Sequence, residues 1–121
     1  MAHFNLGVAY AHEGRDDLSL EAFEKAVSIK PDLAIGHFNI GQIYYNRGEL
    51  DQSIAAFEKA VEANPKMAAA YYGLAIVEEE AGRKARAVKH YQEFLKLAGD
   101  QPSAETEQAA EHLKALMETF F

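Results

Sequence analysis

The 121-residue chain has no cysteine, no tryptophan and only three prolines. Without cysteine there is no disulfide scaffold, no thiolate zinc site and no cysteine nucleophile. No run approaches the ~18 apolar residues that span a bilayer, and no basic-then-apolar leader marks secretion, so the expected location is the cytoplasm. Cations are in deficit: 12 Lys+Arg stand against 19 Asp+Glu, a formal charge of −7. Phosphate affinity needs a basic face, so neither nucleic acid nor an anionic membrane is an expected partner. With 49% hydrophobic and 26% charged residues, the composition is that of a globular chain of single-domain length.

What is present is a repeat. Shifted by 34 positions, His3–Pro31 and His37–Pro65 are identical at 15 of 29 positions, where chance gives about 2. The matches include Phe4/Phe38, Asn5/Asn39, Gly7/Gly41, Tyr10/Tyr44, Gly14/Gly48, Ser19/Ser53, Phe23/Phe57 and Pro31/Pro65. A third copy keeps Leu74, Gly82, Ala87 and Tyr91 in frame, but carries Ala75 for the glycine, Glu78 for the tyrosine, Phe94 for Ala26/Ala60 and Gly99 for the proline. Units of this kind bury their apolar faces on one another.

Each copy reads as two helices. Phe38, Ile40, Gly41, Ile43 and Tyr44 recur at helical spacing until Gly48, which suits the left-handed position that closes a helix. A second helix starts near Asp51, buries Ile54, Phe57, Ala60 and Val61, and stops before Pro65, because the residue preceding proline is pushed out of the helical region. The short turn between them makes the pair antiparallel. Gly41 and Ala60 let the backbones approach, with Phe57 filling the space beside them. A seventh helix follows, with Pro102 in its first turn and Ala109, Ala110, Leu113, Leu116, Met117 and Phe120 on one face. It reads as a cap over the last apolar surface. The predicted fold is all-α, seven helices in one domain, with repeats over 1–33, 34–67 and 68–101 and the cap over 102–121.

These residues resemble the tetratricopeptide repeat: Leu6-Gly7-x-x-Tyr10 with Ser19, Phe23, Ala26 and Pro31, and again Ile40-Gly41-x-x-Tyr44 with Ser53, Phe57, Ala60 and Pro65. His3, His37 and Tyr71 stand where the family often has tryptophan, which makes them packing residues. The resemblance implies a right-handed superhelical stack of antiparallel helix pairs. It also implies an inner groove, lined by the first helix of each repeat, that holds a peptide or helix of a protein partner. The groove positions fall on Phe4, Asn5, Val8, Ala11 and His12; on Phe38, Asn39, Gln42, Tyr45 and Asn46; and on Tyr72, Gly73, Ile76, Glu79 and Glu80. Phe4, Phe38 and Tyr72 would form one aromatic rung per repeat, with Asn5 and Asn39 able to pair with a peptide backbone.

One family subtype grips a C-terminal carboxylate. It needs Lys and Asn where Phe4 and Val8 stand, and Lys and Arg where Ala69 and Gly73 stand; only Asn39 fits. No cation is in place to neutralise a carboxylate. Glu78-Glu79-Glu80 has two readings: a solvated helix end compensated by Arg83, Lys84 and Arg86, or a negative groove end, at Glu79 and Glu80, that selects a basic partner segment.

The five histidines form no metal-ligand spacing, no HExxH or phosphate-binding glycine motif occurs, and Ser19, Ser28, Ser53 and Ser103 fall at packing, surface or turn positions. No catalytic residue, metal or cofactor is expected, and the chain reads as a scaffold and not an enzyme. Met1 lies at about the second position of the first repeat, with no cap before it, which reads as a fragment of a longer repeat protein. Alternatively, the chain is an assembly module that self-associates through its end helices, by the Ala2, Leu6, Ala9 surface and by Phe120-Phe121.

Overall fold

A computed structural model describes residues 1–120; Phe121 and the side chain of Phe120 lie outside the described residues, and with them the expectation of an exposed phenylalanine pair. Seven helices run in the order expected: α1 Ala2–His12, α2 Asp16–Ile29, α3 Ala34–Asn46, α4 Leu50–Ala63, α5 Ala68–Glu80, α6 Lys84–Ala98 and α7 Ala104–Phe120. No strand occurs among the described residues. Nor is any helix there long and apolar enough to cross a membrane.

The chain forms two compact units. The first, Met1–Pro65, holds α1–α4. Its turns are closed by Gly14 (φ +74°) and Gly48 (φ +76°), a left-handed conformation that a side chain disfavours. α4 ends at Ala63, and Asn64 before Pro65 is extended (φ −141°, ψ 93°). The core consists of Leu20, Phe23, Ile40, Ile43 and Ala56, with Phe4, Val8, Val27 and Tyr44 packed against it.

The repeated glycines and serines explain how each hairpin closes. A methyl group on Gly41 would lie 2.9 Å from the Phe57 ring, and one on Gly7 would lie 2.7 Å from Phe23. Directly beside this contact, Ser53 Oγ donates to Gly41 O and Ser19 Oγ to Gly7 O, each at 2.7 Å and each buried. Glycine lets the second helix approach, and serine then satisfies a carbonyl that water cannot reach.

The second unit, from Lys66 onward, holds α5–α7. Here Ala75 and Ala87 replace the Gly–Ser pair, and both are fully buried with Tyr91, Phe94, Ala109 and Leu116. The substitutions are coupled. The hydroxyl goes together with the glycine, and the enlarged side chain at Phe94 fills the core instead.

α7 begins two residues later than the Pro102 signal suggests. Ser103 Oγ accepts from Thr106 N at 3.1 Å, and Ser103 N donates to Thr106 Oγ1 at 2.8 Å, a reciprocal cap at the start of the helix. Ala109 (0% exposed) and Leu116 (5%) pack inward, whereas Ala110 and Met117, assigned to the same face in the sequence, are exposed.

Candidate functional site

The candidate site residues lie on the first helix of each hairpin. On α1, Phe4 and Val8 are half-buried, with Asn5, Ala11 and His12 exposed. α3 has Phe38, Asn39 and Tyr45 half-buried, with Gln42 and Asn46 exposed. On α5, Tyr72, Gly73, Ile76 and Glu79 are half-buried and Glu80 is exposed.

The two phenylalanines are held alike. Phe4 meets Phe23 with ring centroids 5.5 Å apart and planes at 54°; Phe38 meets Phe57 at 5.5 Å and 57°. One side of each ring therefore packs on the second helix of its own repeat, a tilted geometry that aromatic quadrupoles favour. Neither ring is fully buried, so each serves packing and still offers surface.

Tyr72 is held more firmly. Its ring lies 4.8 Å from Phe94 and 6.3 Å from Tyr91, and its hydroxyl donates to Gln108 Oε1 of α7 at 2.9 Å. Burial, and then the charge of Glu105, push its phenol up from the ordinary value.

The acidic run is not simply a solvated helix end. Glu78 is fully buried, with Oε1 2.5 Å from His90 Nδ1 and Oε2 without a hydrogen-bond partner. Glu79 Oε1 accepts from the Tyr91 hydroxyl at 2.8 Å and from His112 Nδ1 at 2.9 Å. Two histidines and a tyrosine on α6 and α7 thus hold the first two carboxylates. Sequence reasoning missed His90, Tyr91 and His112 in this role. The available signal was that Glu78 stands at the half-buried position of Tyr10 and Tyr44, where a carboxylate withdrawn from water demands a donor. Burial, followed by the hydrogen bond to Glu79, pushes the Tyr91 phenol far up. Tyr71, beside His90 at 5.9 Å, is also raised, first by burial and then by Glu93.

His37 is a packing residue, 8% exposed, with Nε2 2.8 Å from Pro31 O. Among the described residues no group of three His, Asp or Glu could hold a metal ion.

A tetratricopeptide repeat family model matches residues 38–102, and a TPR repeat model matches residues 9–48. No curated protein matches the chain. Several solved structures share the fold. The type III secretion translocator chaperone SycD of Yersinia enterocolitica superposes with a TM-score of 0.89 at 13% identity, over 98% of this chain and 83% of that one. The first TPR of Spaghetti (RPAP3), bound to an HSP90 peptide, gives 0.86 at 18%, over 98% and 90%. The TPR2B domain of yeast Sti1, in complex with pHsp70, gives 0.85 at 16%, over 98% and 95%. A model match over more than half of the chain, on the Gly–Tyr, Ser, Phe and Pro frame described above, makes this chain a member of the tetratricopeptide repeat family.

Proposed function

We propose that the chain is a non-enzymatic, cytoplasmic protein-interaction scaffold whose first-helix faces bind a peptide or helix of a protein partner. The observation that carries this reading is the pair Phe4 and Phe38. Each is fixed from behind by a ring of its own second helix, and each is only half-buried. Aromatic surface held in place in this way contributes affinity with little ordering cost on binding. Asn5, Asn39 and Gln42 lie on the same helices to pair with a peptide backbone, alongside Val8, His12, Tyr45 and Asn46. In the second unit, Tyr72 and Ile76 supply apolar contact, and Glu79 and Glu80 supply selection for a partner with basic residues. Two of the similar structures hold chaperone peptides, which supports peptide binding as the use of such a face. The partner differs from one gripped by a terminal carboxylate, since Phe4, Val8, Ala69 and Gly73 stand at the clamp positions.

The test is affinity capture of partners with the chain and with Phe38→Ala. Loss of the ring is expected to cost about 2 kcal/mol in binding while the fold survives. Equal capture by both would refute the reading.

A second reading, self-association through an end helix, is favoured by one feature. Leu95, Ala110, Leu113 and Met117 line an open apolar hollow between α6 and α7, with Met117 37% exposed. A concentration-dependent mass in sedimentation supports it; a constant monomer mass excludes it.

A further inference from the structure

A separate surface lies within the first unit. A cleft of about 720 Å³ is lined by residues of α2 and α4 together with His37, Ile40 and Tyr44 of α3. Along α3 these three recur at i, i+3 and i+7, a face different from that of Phe38, Gln42 and Tyr45. None of the first-helix candidate residues lines the cleft.

Its floor is apolar. Val27 and Ile40 come from the core side, and Ala55 of α4 is exposed where α2 carries Glu21 at the equivalent position. That difference between the repeats leaves an uncharged side chain in the lining where α2 has a carboxylate. Glu24, Asp32 and Glu62 line the cleft as well, against one cation, Lys59. None of the three carboxylates has an ion-pair partner among the described residues. The neighbouring cations Lys25 and Arg47 are paired, with Glu21 at 3.4 Å and with Asp17. The His37–Pro31 contact fixes the loop that closes one end, so the cleft is formed before anything enters it.

An apolar floor alone would accept any apolar side chain. Carboxylates in excess in its lining add charge selection, because they repel acidic segments and attract basic ones. The volume lies within the range of small binding pockets and suits a few side chains, not a folded domain. We propose that this cleft is a second docking site, for a segment of a protein partner in which an apolar side chain is flanked by lysine or arginine.

The test uses a capped Lys-Lys-Leu-Lys-Lys peptide and its Glu-Glu-Leu-Glu-Glu counterpart, titrated into the isotope-labelled full chain and followed by NMR. The lysine peptide is expected to shift Val27, Ile40 and Ala55, with an affinity that falls as salt rises, and the glutamate peptide to shift none of them. Ala55→Arg, at an exposed position, is expected to abolish those shifts. Glu24→Gln with Glu62→Gln is expected to weaken binding about tenfold, two surface charge pairs near the top of their usual range. Shifts centred instead on Phe38 and Gln42, equal binding of the two peptides, or no shift from the lysine peptide would overturn the proposal.

Discussion

Gly41→Ala sets two effects of known sign against each other. Alanine in a helix interior is favoured over glycine by about 1 kcal/mol. The added methyl would sit 2.9–3.0 Å from three atoms of the Phe57 ring. That ring cannot retreat easily, being 2% exposed and flanked by Phe38. Overpacking of a filled core costs about 1–3 kcal/mol, so the sum is a net loss of about 1 kcal/mol. Ala75→Gly is the mirror experiment. The third hairpin already accommodates a methyl there, fully buried, and losing both methyl and helix preference costs about 2 kcal/mol. Both variants are read from guanidinium unfolding midpoints followed by far-UV circular dichroism. A Gly41→Ala chain more stable than the parent would show that helix preference governs the position. The close-approach account of the repeated glycine would then be wrong.

Other outcomes follow from the same packing. Phe57→Ala empties a site closed on all sides and is expected to cost about 3–5 kcal/mol in equilibrium unfolding. His90→Leu leaves both oxygens of buried Glu78 without a donor and is expected to cost about 3 kcal/mol. Adding Glu78→Leu should recover most of that loss, which a double-mutant cycle by thermal melts checks. The Tyr91 phenol is raised in the folded chain, so the native state holds this proton more tightly than the unfolded one. Its contribution is full below the ordinary phenol value near 10 and declines as pH rises beyond it. Alkaline unfolding titrations should show this decline in the parent and a weaker one in Tyr91→Phe.

Much of the fold was legible because it depends on short-range signals that recur. A 34-residue period, Gly14 and Gly48 at turn positions and Pro65 after Asn64 fix the helix ends through local backbone preference. The paired Gly41 and Ser53 were legible as small residues but not as partners, since a bond across twelve residues appears only once the hairpin closes. α7 shows the limit. Its periodicity marks a helix, but a broad apolar face does not say which of its residues pack: α7 meets α5 through Gln108 and His112 and α6 through His112, with Ala109 and Leu116 in the shared core, while Ala110 and Met117 are exposed. Pro102 marks the start of α7 only to within two residues, because the cap depends on the reciprocal bonds between Ser103 and Thr106. The acidic run was misleading for a different reason. Three adjacent carboxylates suggest solvent, whereas the repeat frame places Glu78 at the half-buried position of Tyr10 and Tyr44, and His90 and His112 lie too far along the chain for spacing to pair them.

The candidate site is legible in the sequence only as a set of positions that the family resemblance implies. Periodicity places Phe4, Asn5, Phe38 and Asn39 on first helices, while the degree to which a ring is shared between packing and surface depends on its contact with Phe23 or Phe57. The most direct test is NMR shift mapping of the full chain with a captured partner segment. The account predicts that perturbations centre on Phe4, Asn5, Phe38, Asn39 and Gln42, and that Phe38→Ala abolishes them at equal concentration. Perturbations that leave these residues untouched, with binding unaltered in Phe38→Ala, would contradict it.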